Sequence, residues 1–233
     1  MPKRPIRAIT LDLDDTLWPA APTIQRAEQR AHEWLEQRAP ALAAAWSMER
    51  LRALRKSLFD TRPELRHDFL ALRRIALRAA FEDARAWDQQ AEALIEASLD
   101  VFMEARNAVE LYPEVLACLQ RLSRRYRIAS LSNGNADLAR IGLDHLFHAT
   151  VAAHAHGVSK PHPALFHIAC RALGCAPGEV VHLGDDAELD VRGARGAGLQ
   201  AVWMNRTGTP WPHDDLPVTV ADLEAFERWL EAG

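Results

Sequence analysis

Two regimes of hydrophobic spacing run along this chain. Between about residues 23 and 106, buried-type positions recur at helical intervals. Ile24, Ala27, Ala31, Trp34 and Leu35 form one such stripe, and Leu94, Ser98, Leu99, Phe102 and Met103 form another. Met48 to Phe59 and Phe69 to Phe81 carry the same spacing between them. Positions i, i+3, i+4 and i+7 share one face of a helix, so the pattern predicts four helices here. Pro19 and Pro22 stop the chain just ahead of them. A segment of this length needs its own packed structure, and it reads as an inserted helical module.

The second regime alternates strands with helices. Arg7 to Leu13 is a short apolar run rich in strand formers. From Pro113 onward the spacing predicts helix Pro113 to Arg124, strand Arg127 to Leu131, strand Ala149 to Ala153 and helix Pro163 to Leu173. Strand Val180 to Leu183, helix Leu189 to Ala197, strand Gln200 to Met204 and a closing helix Ala221 to Glu231 follow. Strands alternating with helices imply an α/β fold with a parallel sheet covered on both faces. The expected division is a core of residues 1–18 and 110–233, with residues 19–109 inserted after the first strand.

Composition narrows the class. A net charge of −4 over 233 residues argues against a nucleic-acid partner. No apolar run approaches the roughly 18 residues of a membrane span, and no secretory signal opens the chain. Lys3 and Arg4 read as a solvated tail. Cys118, Cys170 and Cys175 are odd in number and lack metal-type spacing, so they read as reduced thiols in a cytoplasmic protein. A monomer and a homodimer are both compatible with the sequence.

In open parallel sheets ligands bind beyond the carboxyl ends of the strands, and the polar residues collect there. Asp12-Leu13-Asp14-Asp15-Thr16 follows the first strand, Ser132-Asn133-Gly134 the second, and Gly184-Asp185-Asp186 the fourth, with Asp190 one turn later. Ser159-Lys160-Pro161 closes the connection after the third strand. Side chains two apart on a strand point the same way, so Asp12 and Asp14 come together. Clustered carboxylates raise one another's pKa and call for a cation. Mg²⁺ suits them, because it takes oxygen ligands from a few carboxylates, water and phosphate. The chain has three lysines, Lys3, Lys56 and Lys160, among 28 basic residues. A lysine kept at 160 offers a compact charge that arginine does not replace. Such a set suits phosphoryl transfer, with one carboxylate as nucleophile and another as general acid and base.

These motifs, in this order, resemble the four motifs of haloacid dehalogenase (HAD) superfamily hydrolases from about Ile9 to Trp203. The resemblance implies a Rossmann-like core with a helical cap, and a Mg²⁺-dependent phosphate-monoester hydrolase working through an aspartyl phosphate. It implies Asp12 as nucleophile, Asp14 as general acid and base, and Ser132 and Asn133 as phosphate binders, with Lys160 linking nucleophile and phosphate. It also implies metal binding by Asp12, the backbone carbonyl of Asp14, and Asp185, with Asp190 supporting the metal directly or through water and Asp186 nearby. Within the superfamily the chain is similar to bacterial phosphatases of FMN or of 5-amino-6-(5-phospho-D-ribitylamino)uracil. That similarity rests on Asp15, His67-Asp68, Asn133-Gly134-Asn135-Ala136, Gly142-Leu143, His156-Gly157 and His182-Leu183-Gly184-Asp185-Asp186. The implied partner is a small phosphorylated metabolite. Nucleoside monophosphates and other sugar phosphates are the alternative substrates, and a dehalogenase, a phosphomutase and a non-catalytic binding protein are the alternative functions. His154, His156 and His162 lack a Cys or Glu to complete a zinc site. Trp34, Trp46 and Trp87 read as packing, Lys56 as an exposed helix charge, and Arg66, His67 and Asp68 as an interhelical loop.

Overall fold

Helix ends and strand edges in this chain follow from where proline, capping residues and β-branched residues stand. The structure, a computed structural model, describes residues 5–232. Lys3 and Arg4, expected to form a solvated tail, lie outside the described residues. The chain divides into two compact units, Met1–Pro19 with Glu110–Gly233, and Ala20–Val109.

The unit Ala20–Val109 is helical: α1 (Ala20–Arg38), α2 (Pro40–Ala45), α3 (Met48–Thr61), α4 (Phe69–Asp83) and α5 (Ala91–Asn107). There are five helices rather than the four that the spacing predicts. Pro22 does not stop the chain but sits in the first turn of α1, where a missing N–H breaks no helical bond. Pro40 separates α1 from α2, because the residue before a proline is driven out of the helical region. Ser47 and Asp68 cap α3 and α4 by accepting the N–H groups of Arg50 and Ala71, at 3.3 and 2.9 Å. Leu35, Leu51, Leu77, Phe81, Ile95 and Leu99 form the unit's core. Trp34 and Trp46 pack against that core, and Trp87 lies edge-on to Phe81. Lys56 pairs with Asp60 on an exposed surface at 2.6 Å.

The other unit is built on six strands: β1 (Ala8–Leu11), β2 (Arg127–Ser132), β3 (Ala149–Ala152), β4 (Val180–Gly184), β5 (Gln200–Met204) and β6 (Val218–Val220). Their order is β3-β2-β1-β4-β5-β6, and every neighbouring pair is parallel. The sequence pattern does not predict β6. Three residues are too few to display alternation, and pairing with β5 makes them a strand. Beyond β1 come α6 (Val115–Leu122), α7 (Leu138–Ile141), α8 (Ala153–His156) and α9 (Pro163–Leu173). A π-helical turn, Ala187–Arg192, runs into α10 (Gly193–Gly196), and α11 (Leu223–Ala232) closes the chain. Leu131, Val151, Leu165, Phe166, Val180 and Ala194 interlock between sheet and helices. β1 and β4 are buried along their whole length, as expected for central strands of a covered parallel sheet. The order places a topological switch point beside β1, the position where such sheets bind ligands at their carboxyl ends.

Candidate active site

β1 delivers Asp12 to the switch point. Its N–H continues the β1–β4 ladder by donating to Leu183 O at 2.9 Å, so the backbone is tied down where the strand ends. The next residues make a tight loop. Asp15 takes φ 57°, a left-handed conformation that aspartate tolerates better than most residues. Its N–H donates to Trp18 O at 2.8 Å. The fully buried Trp18 in turn donates its indole N–H to Asp14 Oδ1 at 2.9 Å. Arg206 holds the same loop from β5's end by donating to Thr16 O at 2.9 and 3.1 Å, and it pairs with Glu114 at 2.7 Å.

Lys160 is buried between two carboxylates. Its Nζ bonds Asp12 Oδ1 and reaches Asp190 Oδ1 at 2.6 Å. Asn133 clamps the lysine's main chain, with Oδ1 accepting Lys160 N–H at 2.7 Å and Nδ2 donating to Lys160 O at 3.1 Å. This pairing leaves the amide one further N–H. Ser132, buried at the end of β2, accepts the N–H of Gly134 at 2.9 Å.

Asp190 is fixed on three sides. His182 Nε2 lies 3.0 Å from Oδ1 and Asp186 N–H 3.0 Å from Oδ2, with Lys160 as the third partner. The other ring nitrogen of His182 meets Thr10 Oγ1 at 2.9 Å, which forms a buried chain from β1 through β4 to the carboxylate. A Cβ on Gly184 would fall inside the Asp190 carboxyl group, so glycine at 184 lets Asp190 fold back over the strand end. Asp186 is exposed and caps the following turn by accepting Glu188 and Leu189 N–H groups at 2.8 Å. Trp203 donates to Asp185 O at 2.7 Å.

Asp12, Asp185 and Asp190 each offer a carboxylate oxygen, and these oxygens lie within 4.8 Å of one another. Three carboxylates facing one ammonium leave negative charge uncompensated. Burial, then Asp190 and Asp15, push Asp185 up to about 7. Burial, offset by Lys160 and reinforced by Asp190 and Asp185, holds Asp12 well above the usual carboxylate range. Burial would raise Asp190 too, but Lys160 and the His182 hydrogen bond outweigh it and hold this carboxyl below its ordinary value. Burial opposes the charge on Lys160, yet Asp12 and Asp190 overcome it and raise its pKa. Burial keeps His182 below its ordinary value, as a neutral donor would require. An all-oxygen cluster with excess negative charge fits a hard divalent cation.

The sequence reading brought Asp12, Asp14, Ser132, Asn133, Lys160, Asp185 and Asp190 to this strand edge, and the structure gathers all seven there. It overlooked Trp18 and Thr10, and it noted His182 without a role. The available signals were a histidine inside an otherwise apolar central strand, and a tryptophan four residues after Asp14. His154 and His156 are exposed, and His162 caps α9 by accepting Ala164 N–H at 3.2 Å. Cys118, Cys170 and Cys175 are free thiols, and burial pushes the first two up to about 11. In the helical unit, Arg66 donates to Phe59 O and Asp60 O at 2.9 and 3.0 Å, so it is tied back to the last turn of α3.

The model of the haloacid dehalogenase-like hydrolase family matches residues 6–198. The 5-amino-6-(5-phospho-D-ribitylamino)uracil phosphatase YigB of Escherichia coli (strain K12) is 33% identical over 85% of this chain and 83% of its own length. The phosphoserine phosphatase of Thermus thermophilus is 39% identical over 63% of this chain and 60% of its own. A solved structure described as a 2-haloacid dehalogenase from Pseudomonas syringae pv. Tomato DC3000 superposes with a TM-score of 0.88 at 38% identity, covering 96% of this chain and 99% of that one. Among the described residues no helix is long and apolar enough to cross a membrane. A family match over residues 6–198, together with the phosphatase relatives, makes this chain a member of the haloacid dehalogenase-like hydrolase family and an enzyme of its phosphatase kind.

Proposed function

We propose that the chain is a Mg²⁺-dependent phosphate-monoester hydrolase that works through an aspartyl phosphate on Asp12. The observation that carries this reading is the buried Lys160 joined to both Asp12 and Asp190 beside Asp185, with Asp14 held separately by Trp18. Asp12 attacks phosphorus, and the bond from phosphorus to the ester oxygen breaks. Asp14 gives its proton to the departing alkoxide, then takes one from the water that cleaves the acyl phosphate. Lys160 neutralises charge on Asp12 and the phosphoryl group, and Asn133 positions Lys160 through its main chain. Ser132 lines the phosphoryl position. Asp12, the carbonyl of Asp14, and Asp185 would hold Mg²⁺, with Asp190 as support. When bound, Mg²⁺ supplies charge neutralisation and in-line orientation.

The proposed substrate is a small phosphorylated metabolite with a primary alcohol phosphate, 5-amino-6-(5-phospho-D-ribitylamino)uracil or FMN. Support comes from the name of the E. coli relative and the motif similarity across the core. The inserted helical unit acts as the cap that selects among leaving groups, with His67 as a contributor. The free thiols suit a reducing, cytoplasmic setting. The test is phosphate release across the two flavin-pathway compounds, nucleoside monophosphates, phosphoserine and hexose phosphates. A tenfold kcat/KM advantage for hexose phosphates or phosphoserine overturns the substrate assignment.

The structural neighbour from Pseudomonas syringae motivates a second reading, dehalogenation. Asp14 and the carboxylates around Asp185 argue against it, because they suit a phosphate bound with a cation rather than a carbon–halogen bond. Halide release from 2-chloropropionate at a rate rivalling phosphate release would reverse the ranking.

A further inference from the structure

A second concentration of charge lies inside the helical unit. Three guanidiniums converge on the carboxylate of Glu28 in α1. Arg52 donates to Oε2 at 3.0 and 2.5 Å, Arg55 bonds Oε1, and Arg73 reaches Oε1 at 3.2 Å. The side chains of Glu28, Arg55 and Arg73 are only 8%, 16% and 13% exposed, whereas Arg52 is half exposed. Water can balance Arg52, but one carboxylate cannot balance both Arg55 and Arg73. The Phe102 ring, 3.7 Å from the Arg73 guanidinium, offers a quadrupole and not a counter-charge. Burial, then the charge of Arg55, push Arg73 down to about 9. Guanidinium groups keep their proton in proteins, so a bound anion is the natural relief.

The same residues border a space able to hold one. Glu28, His32, Arg55, Arg73 and Ser98 line a cavity of about 30 Å³, walled otherwise by apolar side chains. A single water needs about 10–15 Å³, so the cavity exceeds one water. His32 Nδ1 is buried there without a hydrogen-bond partner, while its Nε2 lies 3.7 Å from Glu36. The Ser98 hydroxyl is turned to Ile95 O at 2.7 Å. Arg55 and Arg73 each give one nitrogen to Glu28, and each guanidinium carries five N–H donors. Surplus positive charge, spare donors, an orphaned imidazole nitrogen and a void coincide.

We propose that this cavity binds a small oxyanion of the size of inorganic phosphate, held by Arg55, Arg73 and His32. The site lies wholly within the helical unit, and the proposal stands whether or not the core hydrolyses phosphate esters. A purely structural ion cluster would give the same contacts but no dependence on anion identity.

The test is thermal unfolding of the full chain in EDTA, with sodium phosphate replacing sodium gluconate at constant ionic strength. EDTA removes the divalent metal that would help the core hold phosphate, and comparison with the Arg73 variant assigns the response to the helical unit. The wild type is expected to gain about 3–6 °C when phosphate stands at about ten times its Kd. Arg73→Met is expected to lose that gain. Equal gains in both proteins, or no gain in the wild type at about 0.1 M phosphate, overturn the proposal. Arg73→Lys keeps the charge but loses the planar fork, and it decides the matter if the methionine variant does not fold. Calorimetry should then show phosphate binding weakened at least about tenfold, and unchanged affinity overturns the proposal.

Discussion

Replacing Lys160 with methionine removes the one cation between Asp12 and Asp190 while keeping most of the side chain's volume. In the wild type Lys160, together with His182, outweighs burial and keeps Asp190 ionised below its ordinary range. Without it Asp190 retains His182 and the Asp186 N–H as donors, but it is a buried charge with no counter-charge. Breaking a buried pair in this way costs about 3–5 kcal/mol. Protonation of Asp190 caps that cost. Holding a carboxyl neutral against an unfolded pKa near 3.9 costs about 5 kcal/mol at pH 7.5 and about 2 kcal/mol at pH 5.5. The sign follows from the variant's folded pKa, which now lies above the unfolded one. Stability is then complete below the unfolded pKa and is lost as pH rises through the folded value. The expected penalty of Lys160→Met in EDTA is therefore about 3–5 kcal/mol at pH 7.5, shrinking to about 2 kcal/mol at pH 5.5. Urea unfolding at both pH values measures it, on the transition that the substitution displaces. A penalty below about 1 kcal/mol, or one that grows toward low pH, would show that Asp190 does not depend on Lys160 for its charge.

Asp12→Asn should abolish phosphate release and leave the circular dichroism spectrum unchanged, since the amide keeps the shape but is neither nucleophile nor strong metal ligand. Exhaustive EDTA treatment should abolish turnover, Mg²⁺ should restore it, and Ca²⁺ should inhibit, because calcium prefers more oxygens at longer distance; full activity in EDTA refutes this. Trp18→Phe keeps an aromatic ring but removes the indole donor's hydrogen bond to Asp14. With hydrogen bonds to charged groups worth about 1.5–3 kcal/mol, kcat should fall roughly 10- to 100-fold with KM little changed. An unchanged kcat would mean that the indole does not position the acid.

Much of the site was legible because its ligating side chains sit at chain positions that a parallel sheet must bring to one edge. Asp12 and Asp185 each follow a recognisable strand, and Ser132 ends one. Lys160 stood out as a lysine in a chain that otherwise favours arginine. Trp18 was not legible as a partner of Asp14, because its contact depends on a left-handed turn at Asp15 that spacing does not encode. Asn133 illustrates the same limit. Its pairing with the Lys160 main chain is a contact across 27 residues, which local spacing does not show.

The order of helical and strand spacing, read alone, determined the α/β class, the helical insert after the first strand and the collection of carboxylates at the strand ends. These follow from local periodicity and from the rule that parallel strands end on one side of the sheet. Tertiary structure alone decided β6, which exists by pairing with β5, and the chain Thr10–His182–Asp190–Lys160–Asp12, which joins residues of β1 and β4 to the connections that follow β3 and β4. It also decided which charges stand unbalanced, with carboxylates in excess around Lys160 and guanidiniums in excess around Glu28. Charge balance in a buried site depends on distances between residues far apart in the chain, and those distances are set only when the elements pack.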